Sequence, residues 1–474
     1  MSNKRFVLIL PLEFPEGIAP GAGSSYNQMQ LARNGRGQPI LRGSSIAGVL
    51  RHAWQRQVKK EICCDLFGEA ANDIDEGSPS RLKIADCVLS IGKTGRTDVR
   101  NHHLRDRHTK TVVPNGLFSI ESCPPGTHAE VCLWLDGRGI DGLQVLRQVV
   151  GFFNSGIFFG GNSARGIGRA VLKESASYRS FDLEKLGEHA EYLDMARSMN
   201  GEKNSNEREG FESLDSATEW IESLQVKLCL RIPRGQDILV ADGRGSDYKL
   251  QPQWTCSADG VEKWRIPGSS LRGSLKTWMT KVAAKAGYPI ADSHDRRNRF
   301  NEHKNPDDAP SGENLGRVFL SAQRRQELKK QPERFKEIEC PIARLFGSLY
   351  QASRITISDS LVKKQGSGIT EQVRMHVAVD RITGGAAEGM LFDNTVLVSD
   401  RPEASAFEFH ISIREPQLNE VQWLRAALLA LDIGLLRIGS SKSAGRLELA
   451  KSPDATGPHA DRLTSLLPNH ARQR

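Results

Sequence analysis

The chain contains one short motif twice. The stretch from Arg265 to Met279 reads RIPGSSLRGSLKTWM, and the stretch from Pro39 to Trp54 reads PILRGSSIAGVLRHAW. Each pattern predicts the end of a strand, a Gly-Ser-Ser turn and the start of an amphipathic helix. The glycine permits close backbone approach, and the serine hydroxyls can cap the helix. Because the N–H groups at a helix start also bind phosphate, the turn fits either a helix cap or an anion site.

Three further motifs recur in the same order. CCDLFG recurs as IARLFG, SRLKIADC recurs as SRITISDS, and GNSARGIGRAVL recurs as GSSKSAGRLEL. The alignment pairs Asp86 with Asp359 and Arg169 with Arg446. Four motifs that recur in one order predict an internal duplication.

The duplication predicts a first domain over residues 1–175 and a second over 225–474, joined by a helical and polar linker over 176–224. Each later motif is separated from its repeat by more residues than the first Gly-Ser-Ser turn is from the second. This difference predicts a charged, exposed insertion in the second copy at about residues 285–338. Each copy reads strand, Gly-rich loop, helix, short strand, long irregular segment, strand, helix, Gly-rich loop and strand. This order predicts an α+β protein with two tandem ferredoxin-like domains, similar to the RNA-recognition motif.

The composition of the chain limits the classes of function that it can have. The chain has 65 Lys plus Arg against 57 Asp plus Glu, and a net charge of +8 suits a polyanionic partner such as nucleic acid. Its 8 cysteines contain no C-x-x-C pair, so we expect free thiols and not a zinc ribbon or a disulfide framework. The opening MSNKRFVLILPLEF predicts a first strand and not a signal peptide. Without a long apolar run, we expect a cytoplasmic protein with no membrane partner.

Basic and glycine-rich segments are the candidate RNA-binding surface. The later Gly-rich loops place Ser, Lys and Arg among glycines, which suits a sugar-phosphate chain, although a structural tight turn has the same composition. The long segments 92–121 and 371–398 are further RNA-facing candidates; the histidines of the first segment have no matched cluster in the second copy. The predicted RNA-binding residues are Arg42, Gly43, Ser44, Ser45, Arg51, Arg165, Arg169, Arg265, Gly268, Ser269, Ser270, Arg272, Lys276, Arg381, Ser441, Lys442 and Arg446.

The motifs IPGSSLRGSLK, CPIARLFGS, SRITISD, VAVDRITGGAAEGMLF and SAGR resemble the backbone subunit of type III CRISPR-Cas effector complexes. That subunit belongs to the RAMP superfamily and has a modified RNA-recognition-motif fold. The resemblance covers most of residues 225–474 and is weaker over 1–175, and two such domains in one chain look like the fused backbone subunits of subtype III-D. It implies that crRNA, complementary target RNA and other type III subunits are partners. It also implies a thumb-like β-hairpin from each long segment, which displaces a nucleotide of the guide–target duplex.

The resemblance further implies cleavage of target RNA by an aspartate upstream of the Gly-Ser-Ser turn, with a divalent metal ion that we expect to be Mg²⁺. In the second copy ADGRGSDYKLQ makes Asp247 the candidate catalytic residue and metal ligand, with Asp242 in reserve. In the first copy Ser25 or Asn27 stands at this place, depending on the alignment. Since neither residue is a carboxylate, we expect the first copy to bind RNA without cutting it.

Two other functions fit the same residues. A non-catalytic RNA-binding scaffold would make Asp247 incidental, because a loop aspartate also forms Asx-turns. A guide-processing endoribonuclease would cut with histidine or tyrosine, but no histidine recurs at matching places in the two copies. Glu13 and Glu16 are further carboxylates near the loop of the first copy.

Overall fold

A computed structural model gives the fold over most of the chain. It describes residues 4–25, 28–55, 60–69, 77–105, 112–154, 157–161, 163–200, 210–215, 223–241, 250–290, 340–348, 352–380, 382–402, 406–439, 445–466 and 468. Most of the insertion predicted at about residues 285–338 therefore lies outside the described residues.

The first copy and the segment after it contain most of the strands. The strands are β1 (Lys4–Phe14), β2 (Gly21–Ser25), β3 (Gln28–Leu31), β4 (Ile40–Leu41), β5 (Leu82–Ile84), β6 (Cys87–Val88), β7 (Asp98–Arg105), β8 (Val112–Ser122), β9 (Thr127–Asp136), β10 (Ile157–Phe158), β11 (Arg169–Leu172), β12 (Ala176–Asp182) and β13 (Glu212–Leu214). The helices are α1 (Gly43–Gln55), α2 (Lys60–Phe67), α3 (Gly142–Asn154) and α4 (Leu186–Asn200), with short 3₁₀ helices at Gly92–Thr94 and Ser163–Arg165.

The second copy repeats the pattern. Its strands are β14 (Ser223–Arg231), β15 (Asp237–Ile238), β16 (Trp254–Cys256), β17 (Glu262–Ile266), β18 (Ile355–Ile357), β19 (Ser360–Lys363), β20 (Ile369–Val379), β21 (Ala386–Ser399), β22 (Phe407–Arg414), β23 (Glu448–Leu449) and β24 (Asp454–Thr456). Its helices are α5 (Gly268–Lys285), α6 (Pro341–Phe346), α7 (Leu418–Asp432) and α8 (Asp461–Thr464).

Five strands of the first main sheet correspond to the five strands of the second. In the first, the apolar β1 lies between β9 on one side and β11 and β12 on the other, and β5 pairs with β9. In the second, β14 lies between β22 on one side and β23 and β24 on the other, and β18 pairs with β22. All of these pairs are antiparallel. The predicted duplication and the predicted α+β fold are therefore confirmed.

Each sheet forms its own core with the helices of its copy. In the first domain, Ile46 and Leu50 of α1 and Leu146 of α3 pack with the apolar residues of β1. In the second, Leu271 of α5 and Leu424 of α7 pack with β14 in the same way. The described residues include all eight cysteines, and these are free thiols as expected.

The segment expected to be a helical linker differs from that expectation. Its start is β12, which pairs with β1, and β13 extends the sheet by pairing with β12. Only α4 is helical. The physical reason is the burial of Ala176 and Phe181, since Phe181 packs with Val7 and Cys132, beside Tyr192 of α4.

Both long segments form β-hairpins outside the main sheets. In the first copy β7 pairs with β8, and β3 runs parallel to β8. In the second copy β20 pairs with β21 over most of their length, and β15 joins β21 at the base of the hairpin. The predicted thumb-like insertions are therefore hairpins, one in each domain.

Candidate RNA-binding surface and the contact between the domains

Each Gly-Ser-Ser turn is held by an aspartate of its own domain. The Gly43 N–H donates to Asp86 Oδ1 at 2.8 Å, and the Gly268 N–H donates to Asp359 Oδ1 at 2.9 Å. A Cβ on either glycine would lie 2.1 or 2.2 Å from a backbone carbonyl oxygen, so only glycine fits. This hydrogen bond explains why the turn and the SRxxIxD motif occur together. It also corrects the prediction for these two glycines, because a carboxylate and not a phosphate accepts from them.

Buried charges join the second turn to the first domain. Asp359 is fully buried, and Arg100 Nη1 lies 2.6 Å from its Oδ2. Arg265 Nη2 lies 2.8 Å from Asp98 Oδ2, and Arg265 Nε lies 4.0 Å from Asp359 Oδ2. Burial lowers the pKa of Arg265 to about 10. Arg265 is only 3% exposed, so its predicted RNA contact is wrong.

Backbone hydrogen bonds and a close approach at a glycine also join the two domains. The Asp359 N–H donates to Gly166 O at 2.8 Å, and a Cβ on Gly166 would lie 2.1 Å from Asp359 Oδ1. Farther along, the Lys93 N–H donates to Ala258 O at 2.8 Å and the Ala258 N–H donates to Pro125 O at 2.7 Å. The Gly-rich loop of the first domain, which we predicted to face RNA, therefore packs on the turn of the second domain.

The matched arginines of the two Gly-rich loops have different surroundings. Arg169 Nη2 lies 2.7 Å from Glu16 Oε1, and Arg169 Nε donates to both Glu16 oxygens. Because this ion pair occupies Arg169, it argues against the predicted RNA contact of that residue. Arg446 is half-buried and forms no ion pair within the described part of the chain. Arg446 therefore fits the predicted phosphate contact better than Arg169 does.

The pKa of Glu16 predicts a change of stability with pH. Burial raises this pKa to about 7, against the attraction of Arg169. The folded chain therefore holds more protons than the unfolded chain between the two pKa values. We expect the free energy of unfolding to fall by at most about 3 kcal/mol as the pH rises from about 4.5 to about 7.

Urea unfolding of the wild type and of Glu16→Gln across this pH range measures the effect. The variant stays neutral and should lack the fall. Burial lowers the pKa of His410 to about 4, which raises stability with pH over part of the range. Because His410 is present in both proteins, its contribution cancels in the comparison. Identical pH profiles would contradict the raised pKa of Glu16.

The remaining predicted residues divide into packed and accessible side chains. Arg272 donates to the Phe346 carbonyl oxygen and to Ser353 Oγ, and its guanidinium lies 5.4 Å from the Phe346 ring centroid. These contacts hold Arg272 against α6, and its RNA contact stays a prediction. The accessible residues are Arg42, Ser44 and Ser45, which are exposed, and Arg51, Ser269, Ser270 and Lys276, which are half-buried.

Several predicted residues cannot be placed. Asp242, Asp247, Arg381, Ser441, Lys442 and the side chain of Arg165 lie outside the described residues. The residues that flank the candidate catalytic loop are described. Ala241 forms a bridge with Pro252, Leu250 forms a bridge with Asn394, and the Thr395 N–H donates to Leu250 O at 2.9 Å. The chain is therefore attached to the second hairpin three residues after Asp247.

Both hairpins carry a histidine stacked on a phenylalanine across the strands. His102 and Phe118 have ring centroids 5.4 Å apart, and His376 and Phe392 have centroids 5.3 Å apart. In both copies the phenylalanine follows the histidine by 16 residues, a repeated spacing in the sequence that could have predicted the pair. Aromatic rings on a basic protein suit stacking with bases.

One face of the second hairpin is also apolar and exposed. On β20 this face consists of every second residue, and on β21 it includes Leu391, which pairs with Val377. The exposed apolar residues of β20 are Val373, Met375, Val377 and Val379. Apolar residues at this exposure favour contact with a binding partner over solvent.

The model of the RAMP superfamily matches residues 19–171 and 254–448. The chain belongs to the RAMP superfamily. The two matched regions fall on the two domains, in agreement with the tandem RAMP domains expected from the sequence. RAMP proteins work with RNA in CRISPR ribonucleoprotein complexes, and this chain is accordingly a CRISPR-associated RNA-binding subunit.

Three negative findings accompany this RAMP assignment. No curated protein gave a significant match to the chain. Within the described ranges, no helix is long and apolar enough to cross a bilayer. The same ranges contain no group of three or more His, Cys, Asp or Glu side chains arranged to hold a metal ion.

Proposed function

We propose that this RAMP protein is a crRNA-binding backbone subunit of a type III CRISPR-Cas effector complex, and that its second domain cuts complementary target RNA. The observation that carries the proposal is the pair of matched hairpins, each with an aromatic stack. Two equivalent hairpins on one chain suit a partner that repeats along its length, as a guide–target duplex does. Other type III subunits are the proposed protein partners.

The cut is assigned to Asp247 because Leu250, close behind it, is paired with the hairpin strand β21. A nucleotide displaced by that hairpin would then lie near the loop that carries the carboxylate. Two described carboxylates near the turns are already paired, since Asp359 binds Arg100 and Glu16 binds Arg169. A divalent ion, which we take to be Mg²⁺, is therefore assigned to Asp247, with Asp242 in reserve. Its test is the loss of the cut when Asp247 is replaced.

The matched arginines test the RNA-binding part of the proposal. Arg446→Gln should weaken crRNA binding and lower the magnitude of the log K against log salt slope by about 0.7, because one phosphate contact to a single strand is lost. Arg169→Gln should leave the slope unchanged, since Glu16 already occupies Arg169. Fluorescence anisotropy with labelled crRNA across a salt series measures both variants.

Circular dichroism would verify that both variants are folded before the slopes are compared. Equal slopes for wild type and Arg446→Gln would remove Arg446 from the RNA contact. A slope near zero for the wild type would contradict extensive phosphate binding altogether. If the wild type binds RNA but does not cut it, the chain is a non-catalytic RNA-binding scaffold.

A further inference from the structure

An exposed tryptophan lies directly after the loop that carries Asp247. Trp254 is on β16 and is 37% exposed, whereas Trp264, its cross-strand partner on β17, is only 4% exposed. The bridge between Ala241 and Pro252 joins the two ends of the loop. Trp254 follows this bridge on the same strand, so its ring lies on the surface close to where the loop begins and ends.

A lysine places a positive charge against this tryptophan. Lys364 Nζ lies 4.2 Å from the ring centroid of Trp254 and 4.3 Å from that of Trp264. The same ammonium lies 3.3 Å from Glu262 Oε2, but an ion pair with a carboxylate this exposed is weak and leaves the ammonium able to attract phosphate. We call Trp254 and Lys364 the tryptophan site. An exposed ring beside a cation suits an unpaired base and the phosphate attached to it.

The first copy has a different pair of residues at this place. Alignment of the two turns puts Pro39 at the position of Trp264. Arg33, which forms a bridge with Pro39, therefore takes the position of Trp254. Its guanidinium lies 2.6 Å from Glu121 and is held in that ion pair. The copy that we expect to bind RNA without cutting it thus also lacks the exposed tryptophan.

Stacking on an indole suits an RNA target of any sequence. In an RNA-guided complex, base pairing reads the sequence, and the protein has to accept every base. Aromatic stacking meets this requirement because every base has a π-face, whereas hydrogen bonds to base edges would select among bases. Trp254 therefore fits a base that must be held in place without being identified.

We propose that Trp254 stacks on one unpaired base of the target RNA next to the cut, and that Lys364 attracts the phosphate beside that base. The stack holds the adjoining ribose close to the loop that carries Asp247. This contact deepens the proposed cleavage by the second domain, on which it rests, by naming the group that positions the target there. It also gives the second domain a contact that the first domain lacks.

A double-mutant cycle between Trp254 and the RNA tests the stack. Abasic sites are placed one at a time along the target near the cut, and single-turnover cleavage with Mg²⁺ is measured in the reconstituted complex. We expect Trp254→Ala to cut the intact target about tenfold more slowly than the wild type. At one abasic position the wild type should lose the same factor, and the variant should lose nothing further. Trp254→Phe, which keeps a smaller ring, should lie between the two.

A fluorescent base reports the stack without any cut. 2-Aminopurine, scanned along the target, should be quenched at one position by the wild type and should stay bright with Trp254→Ala. Arg33→Ala, the change at the matched place of the first copy, is the control and should alter neither the cut nor this quenching. Circular dichroism verifies that the variants are folded.

Three results would overturn the stack. The first is Trp254→Ala cutting as fast as the wild type, and the second is losses that multiply at every abasic position. The third is a Trp254→Ala complex that has lost other subunits, which would assign the tryptophan site to a protein partner. If the wild type binds the target but does not cut it, the proposed cleavage fails by itself. In that case 2-aminopurine still decides the stack, because quenching that does not depend on Trp254 would refute it.

Discussion

Replacement of Asp359 by alanine is expected to lower the free energy of unfolding by about 3–5 kcal/mol. The carboxylate accepts the Gly268 N–H and binds Arg100, and all three groups are buried. Its loss leaves the Arg100 guanidinium, which is only 8% exposed, without the carboxylate that it binds. An uncompensated buried charge of this kind costs far more than a lost surface ion pair.

Asp86→Ala is the matched control because the two aspartates have the same local role. Asp86 accepts the Gly43 N–H but is exposed and binds no arginine that the structure describes. Its loss should cost only about 1 kcal/mol, the contribution of a helix-cap hydrogen bond. The difference between the two variants therefore measures what the contact between the domains adds.

Guanidinium unfolding followed by tryptophan fluorescence measures both variants. Since the chain has two domains, each transition is analysed separately and the one that reports the second domain is compared. Combining Asp359→Asn with Arg100→Met removes both charges and should cost less than the sum of the single changes. Equal losses for Asp359→Ala and Asp86→Ala would show that the buried ion pair contributes nothing.

The repeated architecture could be predicted from sequence because each copy needs the same few residues to close its core. The turn needs a glycine beside a carbonyl oxygen, and β1 and β14 need apolar residues to lie at the centre of a sheet. Because both copies have these local requirements, their motifs align with each other. The role of Asp86 and Asp359 was not predicted, since the insertion gives the two Gly-to-Asp pairs different separations, 43 and 91 residues.

The contact between the domains could not be predicted from the repeat. Arg100 and Asp359 are 259 residues apart, so no local sequence pattern connects them. Arg265 and Arg169 also stand among glycines and serines, a composition that favours phosphate binding in a sequence. Only the packing shows that acidic side chains reach them first. Burial depends on the tertiary structure, which the basic motifs do not reveal. The sequence therefore predicted more RNA-contacting arginines than the structure supports.

Asp247→Ala is expected to abolish the target-RNA cut while the complex still binds its guide. A carboxylate that positions or activates a reacting group contributes roughly 10² to 10⁴-fold to a rate, and the loss should lie in this range. The measurement is single-turnover cleavage of a labelled complementary RNA by the reconstituted complex with Mg²⁺. Guide binding, followed in the same preparation, separates loss of chemistry from loss of assembly.

The first copy supplies the control for this experiment. Ser25→Ala and Asn27→Ala change the places that correspond to Asp247, and neither should alter the number or position of cuts. Asp242→Ala tests the reserve carboxylate, and a larger loss there than in Asp247→Ala would exchange the two assignments. Unchanged cutting in both aspartate variants would refute catalysis by this loop. Since Leu250 ties the loop to β21, a shortened hairpin should also move or remove the cut if displacement of a nucleotide is what brings the target to Asp247.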